Sequence, residues 1–521
     1  MKISFVRKSN SNQDPDWLPR PVVKQSRPLK LLIAASEAIP YAKTGGLADV
    51  AGALPREFAR LGHEVVLLVP RYRELDQSAR SFRPLATLPI ETAQGMLPAT
   101  IEEDVVAVDG RPDAVRVWAI ANDGYFDRPG LYQEAGADYP DNLERFTFFS
   151  RAIVETVAYL RRVGQWHADL LHLHDWQTAL CAVYLKTTDA RRSEVGGVKT
   201  VLTLHNAGYQ GIFPGSEFPK TGLAPSMFTP ESLEFYGSLN LLKGGIVFSD
   251  YLTTVSPTYA KEILTPQGGF GLDGALRNRQ THFEGILNGI DVDLWNPLTD
   301  AYLSASYTAS NRENKRLCKG DLRREFQLPD TDDPLVAVIG RMASQKGFDL
   351  VAEAIPHLMN TGMQLVILGT GDREIEERLR ALQARFPKQI GLRIGFDEAL
   401  AHRIEGGADM LLMPSRYEPC GLSQLYSLRY GTVPIVTQTG GLADTVVPLM
   451  PSKANADRAT GFRIKEHTAE SVISAIRDAL EVFRDARLWN RLVDNGMRVD
   501  VSWARSAKAY DRVFKRVLGI S

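Results

Sequence analysis

The chain has 521 residues, 44% hydrophobic and 24% charged, long enough for two or more cores rather than one. Its 61 Lys and Arg balance 62 Asp and Glu to a formal net charge of -1, which argues against nucleic acid as a main partner. Three widely spaced cysteines (Cys181, Cys318, Cys420) suggest neither a disulfide framework nor a zinc site, and no apolar run approaches the roughly 18 residues of a membrane helix, so a reducing cytoplasm is the expected location.

Residues 1–28 lack the apolar stretch of a signal peptide, carry Asp14 and Asp16 between prolines, and read as a loose tail. Packed structure begins with the strand LKLLIAAS (Leu29 to Ser36). A loop with Gly45 and Gly46 follows, then a helix in which Leu47, Val50, Leu54, Phe58 and Leu61 recur at three- and four-residue spacing, with Gly62 placed to end it. VVLLVP (Val65 to Pro70) completes a strand, glycine loop, helix, strand unit. VRVWAI, DLLHLHD, KTVLTLHN and YLTTVS are the later strands expected in this half. The pattern then thins where Gly, Asn and Pro gather, which puts the domain junction near 275–285, with the first domain taken as 29–280 and the second as 281–497.

The second half repeats the alternation. LVAVIG, QLVILG, LRIGF, ADMLLMPS and VPIVT each lead into a helical stretch, so the expected fold class is α/β with a parallel sheet covered on both faces. A final helix is expected within 498–521, where Trp503, Ala507, Tyr510, Val513, Phe514 and Val517 share one face.

Several segments carry chemistry. The hexapeptide TGGLAD is written twice, at Thr44 to Asp49 and Thr439 to Asp444, each time after a strand and at a helix start. Glycines there let backbone approach a ligand, free helix-start N–H groups face an anion, and Lys43 adds a phosphate-holding charge to the first copy. GRMASQKG puts Arg341 and Lys346 at a strand's C-terminal edge, where open α/β sheets bind ligands. In SRYEPCGLSQLYSLRYG a turn at Pro419 and Gly421 would fix Glu418 and offer the N–H groups of Gly421 and Leu422 to an anion. Cys420 in that turn is given no nucleophilic role. His205 in HNAGYQG stands where a strand delivers a side chain to a cleft, suited as neutral imidazole to sugar hydroxyls. For Asp141 and Asn142 in YPDNLERF the residues alone favour helix capping, and HLHDWQT, lacking a third metal ligand nearby, reads as a structural strand end.

The segments KTGGLADV, HDWQT, HNAGYQG, TVSPTYAKEI, LNGIDVDLWNP, GRMASQKG, SRYEPCGLSQLYSLRYGT and TGGLADTV occur in the order seen in bacterial glycogen synthases and plant starch synthases, over both halves from about Leu29 onward. The chain resembles the ADP-glucose-dependent members of that family. The resemblance implies the GT-B architecture, two Rossmann-like domains facing a cleft, with the last helix crossing back to the first. It also implies transfer of glucose from ADP-glucose to the non-reducing end of an α-1,4-glucan with retention of configuration, without cofactor or metal. His205 would bind the transferred glucose with Asn206 beside it, Arg341 and Lys346 would grip the diphosphate, and Glu418 would hold glucose hydroxyls or developing positive charge. Asp141 and Asn142 would line the acceptor or sugar side. Lys43, Gly45, Gly46 and Asp49 would serve the donor from the first domain. Cys420, Gly421, Gly440 and Gly441 would serve it from the second, the last two through backbone amides. Phe396 stands in the base pocket where a tyrosine is frequent, a departure that keeps stacking but removes a hydroxyl. The two TGGLAD copies are expected to face each other across one donor site, the first supplying charge and the second amides. The competing readings are an epimerase or other sugar transferase on the same fold, a glucan-binding scaffold without activity, and an NAD-dependent dehydrogenase. The last is weakened because the glycine loop at the first helix start is not GxGxxG.

Overall fold

The computed structural model describes residues 27–77, 82–134, 136–164, 166–187, 194–195 and 197–520. All but the last two residues of the expected tail lie outside them.

The first domain is built on β1 (Lys30–Ala34), α1 (Gly46–Arg60), β2 (Glu64–Pro70), β3 (Arg83–Thr92), β4 (Gly95–Val108), β5 (Arg111–Ala121), α2 (Asn142–Arg162), β6 (Leu170–His174), α3 (Asp175–Thr187), β7 (Lys199–Leu204), α4 (Leu241–Phe248), β8 (Tyr251–Thr254), α5 (Pro257–Glu262) and β9 (Phe283–Gly285). Its nine strands run in the order β9-β8-β7-β6-β1-β2-β5-β4-β3. Pairing is parallel from β9 to β5, and helices cover strands that are buried on both faces. The sheet is not parallel throughout: β3 and β4, missing from the sequence reading, form an antiparallel hairpin that extends it beyond β5. Their buried residues alternate, Leu88 with Ile90 and Ala99 with Ile101, the signature of strands with one wet face.

The second domain holds α6 (Lys315–Glu325), β10 (Leu335–Ile339), α7 (Phe348–Leu358), β11 (Gln364–Gly369), α8 (Arg373–Arg385), β12 (Ile390–Ile394), α9 (Glu398–Gly407), β13 (Met410–Met413), α10 (Ser423–Tyr430), β14 (Val433–Thr437), α11 (Gly440–Thr445), β15 (Phe462–Ile464), α12 (Ala469–Phe483) and α13 (Ala486–Met497). Its sheet is wholly parallel in the order β12-β11-β10-β13-β14-β15. Every turn leaving the C-terminal end of a strand therefore emerges on one edge.

The junction lies later than the sequence placed it. β9 pairs with β8 inside the first sheet, and Ile286 packs in the first core while Ile290 packs in the second. A strand of three residues is too short to show periodicity, so the boundary at 280/281 cut through the approach to it. The chain recrosses beside this junction: Ile290 donates its N–H to the carbonyl of Val501 at 2.8 Å. A Cβ on Gly289 would stand 2.4 Å from the Trp503 nitrogen, so only glycine lets the two crossings touch. The final helix, α14 (Trp503–Leu518), then lies on the first domain, with Phe514 at 5.2 Å and Tyr510 at 6.2 Å from Phe58 between ring centroids.

Candidate active site

Arg341 and Lys346 follow β10. Gly347, at φ 73°, turns the chain so tightly that a Cβ would strike the Pro414 carbonyl oxygen at 2.2 Å, and this clamps the Lys346 turn against the end of β13. That contact brings Lys346 Nζ to 2.6 Å from Oε2 of Glu418, which also accepts from the Ser415 hydroxyl at 3.1 Å. The two charged groups meant for diphosphate and sugar are thus paired with each other, and Glu418 is only 5% exposed. Arg341 donates to the Gln345 side chain at 2.7 Å and, across the cleft, to the Tyr209 hydroxyl at 3.1 Å. Among the described residues the N–H groups of Gly421 and Leu422, at the start of α10, have no partner.

From the first domain, His205 and Asn206 leave the end of β7. Their turn is organised by Asp175, whose Oδ1 accepts the His205 N–H at 2.7 Å. Asp175 sits at φ 56°, and its burial pushes the carboxyl up to about 7. His205 Nε2 lies 2.9 Å from His174 Nδ1. Burial holds both rings neutral, His205 at about 3 and His174 well below its usual value, so one nitrogen donates and the other accepts. His174 Nε2 is buried without a partner, and an orphaned N–H is rarer than an orphaned lone pair. The favoured arrangement has His174 Nδ1–H donating, which leaves Nδ1 of His205 carrying its proton. Sequence reading missed Asp175 and took HLHDWQT for a structural strand end; the contact joins residues on adjacent parallel strands, which no local pattern reveals. Asn206 lies beside Tyr417 of the second domain, a Cβ on Gly208 standing 3.1 Å from Asn206 Oδ1 and 3.5 Å from the Tyr417 hydroxyl, which puts His205 and Glu418 on facing walls of one cleft.

The two TGGLAD copies do not face each other. In the first, buried Glu37 accepts from the N–H groups of Thr44 and Gly45 and from the Thr44 hydroxyl, while Lys43 is paired with Asp49 at 2.9 Å. Among the described residues the N–H groups of Gly46 and Leu47 have no partner, and a Cβ on Gly46 would lie 3.7 Å from Leu422. The second copy lies behind the 418–422 turn: a Cβ on Gly440 would reach the Glu418 carbonyl oxygen at 1.9 Å, and one on Gly441 that of Cys420 at 2.0 Å. Its amides are not free, contrary to expectation. Gly440 donates to Glu262 of α5 at 3.0 Å, and Gly441 to the carbonyls of Glu418 and Pro419. Asp444 accepts from the N–H and hydroxyl of Thr258 at 2.8 and 2.6 Å, which docks this copy onto the first domain.

Other expected residues stand apart. Asn142 is 5% exposed, donating to the Tyr132 carbonyl at 2.9 Å and accepting from Arg145 at 2.7 Å, so its amide is consumed inside the first core and cannot line an acceptor site. Both Asp141 oxygens accept from Arg128, at 2.7 and 2.6 Å. Asp141 does occupy the N-cap of α2, but its side chain makes no capping bond, so the local reading named the place and missed the partner. Cys420 is buried in the first domain's core, and burial pushes the thiol up to about 12. Its side chain therefore faces away from the cleft. Phe396 follows β12 on the ligand edge with its ring 82% exposed. Among the described residues no group of three or more His, Cys, Asp or Glu could hold a metal ion. No described helix is long and apolar enough to cross a membrane.

Residues 30–278 match the family model for the starch synthase catalytic domain, and residues 321–496 match that for glycosyl transferases group 1. The chain is 46% identical over 496 residues to glycogen synthase of Anaeromyxobacter sp. (strain Fw109-5), covering 94% of this chain and 99% of that one. It is 44% identical over 490 residues to glycogen synthase of Koribacter versatilis (strain Ellin345), covering 94% and 98%. Among solved structures, the catalytic domain of starch synthase IV from Arabidopsis thaliana, bound to ADP and acarbose, superposes with a TM-score of 0.86 at 32% identity, covering 95% of this chain and all of that one. Two sheets with one shared ligand edge, a cleft between them and these full-length matches agree: the chain belongs to the glycogen and starch synthase family, retaining hexosyltransferases of the GT-B architecture.

Proposed function

We propose that this chain transfers glucose from ADP-glucose to the non-reducing end of an α-1,4-glucan, retaining the anomeric configuration and releasing ADP. The observation that carries the reading is the meeting of Arg341, Lys346 and Glu418 with His205 and Asn206 in one cleft, joined by the Arg341–Tyr209 bond and by Asn206 and Tyr417 meeting over Gly208. In this reading the bond from glucose C1 to the diphosphate oxygen breaks, and C1 bonds to the acceptor 4-hydroxyl on the same face. The hydroxyl's proton passes to the departing phosphate. Arg341 and Lys346 neutralise the charge that develops on ADP, and the open N–H groups of Gly46, Leu47, Gly421 and Leu422 add fixed dipoles. Glu418, released from Lys346 as the diphosphate arrives, stabilises the positive charge on the sugar carbon. Neutral His205 holds a glucose hydroxyl through the ring nitrogen that His174 leaves free.

The test is the initial rate of glucose incorporation into glycogen from ADP-glucose and from UDP-glucose on the same primer. Incorporation from ADP-glucose, faster than from UDP-glucose, is expected. No incorporation from either, or turnover of the sugar nucleotide without polymer growth, would overturn the reading.

A further inference from the structure

A concavity opens in the second domain at the N-terminal ends of β13 and β14, the edge of the sheet opposite the ligand edge. It encloses about 240 Å³ between the start of α6, the ends of α9 and α10 at Gly407 and Gly431, and one face of α13. Four cations line it, Arg312, Lys315, Arg316 and Lys319, against a single acidic residue, Asp409.

The spacing of those cations puts them on one side of the first turns of α6, where no acidic residue stands. The start of a helix is its positive end, so charges of this sign raise the potential there instead of relieving it. Their partners account for part of the charge. Lys319 is paired with Asp409 at 2.6 Å, and Asp409 is spent further on the Leu335 N–H at 2.7 Å. Arg312 gives one nitrogen to Asp494 and the other to the Asn490 side chain at 3.2 Å. Lys315 turns its ammonium onto the carbonyls of Glu405 and Gly406, at 3.2 and 3.0 Å, and the Thr432 hydroxyl at 2.9 Å, so it caps the end of α9 and meets no carboxylate. Glu405 itself bonds the Ser427 hydroxyl, and burial pushes its carboxyl up to about 8, so it cancels little of that charge at neutral pH. Arg316 is exposed, and among the described residues its guanidinium has no hydrogen bond or ion pair.

Two positive charges are therefore left over in one concavity, those of Lys315 and Arg316. Trp489 and Val493, both buried, give it an apolar wall that limits screening by water. The guanidinium fork of Arg316 matches the oxygens of a tetrahedral oxyanion, and Arg312 and Lys319 keep further N–H groups to offer. The volume falls below the roughly 300–1,000 Å³ of pockets that enclose drug-sized molecules, which suits a compact anion and excludes a nucleotide sugar.

We infer that Arg316, with Arg312 and Lys319, forms a second anion site, separate from the donor cleft, for a phosphate dianion: inorganic phosphate or the phosphate group of a small monoester. The site is independent of the proposed glucose transfer, and its test needs no turnover.

The experiment titrates inorganic phosphate, and separately glucose 1-phosphate, into wild type, Arg316→Gln and Arg316→Glu. ADP is kept saturating so that the cleft is filled, and chloride is adjusted to hold ionic strength constant. Heat of binding and Tm are read together. Wild type should bind phosphate and gain Tm with it. Arg316→Gln should weaken binding about tenfold, the loss of one charge-assisted contact, and Arg316→Glu should abolish it. Both variants should match wild type in Tm without phosphate, since the replaced side chain is exposed and unpaired. Tighter binding of glucose 1-phosphate would identify the ligand as a monoester, and equal or weaker binding as inorganic phosphate. No binding to ADP-saturated wild type, or equal affinity in wild type and Arg316→Glu, would overturn the site.

Discussion

Lys346→Ala tests the cleft most directly, because its two consequences separate. In the wild-type chain Lys346 Nζ lies 2.6 Å from Glu418 Oε2, with the glutamate side chain 7% and the lysine 28% exposed. Without the ammonium, Glu418 keeps, among the described residues, only the Ser415 hydroxyl, and a buried charge left short of partners costs about 1–3 kcal/mol of stability. Water reaching the lysine side of the pair holds that figure below the cost of a fully buried pair. Loss of one preorganised charge on the leaving diphosphate removes about 2.7–4 kcal/mol of transition-state stabilisation, roughly 10²–10³ in kcat. Glu418→Gln discharges the orphan, so Lys346→Ala/Glu418→Gln should recover most of the stability and none of the turnover. Thermal unfolding and steady-state transfer from ADP-glucose to glycogen, read as a double-mutant cycle, measure both couplings. A kcat for Lys346→Ala within about threefold of wild type would refute the role assigned to the lysine. Recovery of turnover in the double variant would show that the pair serves the fold and not the leaving group.

Three further outcomes are expected. Phe396→Ala should raise KM for ADP-glucose about threefold to tenfold while leaving Tm unchanged, since its ring is 82% exposed; an unchanged KM removes it from the base pocket. Gly441→Ala should cost about 1–3 kcal/mol, read by thermal unfolding, because its Cβ would meet the Cys420 carbonyl oxygen at 2.0 Å, backbone that cannot step aside; wild-type stability would show that the 418–422 turn gives way. Glu405 is buried with one oxygen on the Ser427 hydroxyl and the other unpartnered, and burial pushes its carboxyl up to about 8. The folded chain then binds more protons than the unfolded one between its unfolded value of about 4.3 and about 8, so wild-type stability falls as pH rises through that window. Glu405→Gln lacks the penalty, and its Tm advantage should widen across the same window; a constant difference would count against a protonated Glu405.

Much of the architecture was legible locally. Five of the six strands of the second domain are short apolar runs that windows of about fifteen residues suffice to recognise, whereas β15 (Phe462–Ile464), three residues long with Arg463 at its centre, escaped. Positions at strand ends were legible for the same reason, which is how His205, Arg341, Lys346 and Glu418 were singled out as candidates. The β3–β4 hairpin escaped because its alternation is half polar and lacks a two-residue turn signal.

What the residues by themselves determined is where the chain turns and which side chains those turns deliver to a ligand edge. Only tertiary structure decided what each side chain meets. Lys346 and Glu418 are 72 residues apart, and Thr258 and Asp444 are 186 apart. The identical hexapeptides show the distinction most clearly. Both open a helix, as glycine and spacing dictate, yet Glu37 leaves the first at the cleft with Lys43 and two open amides, while Glu262 and Thr258 tie the second to the neighbouring domain. The hexapeptide opens a helix in both places without fixing one backbone shape, since its first glycine sits at φ -156° in the first copy and φ 43° in the second; its hydrogen-bonding partners come from whatever the two sheets bring alongside.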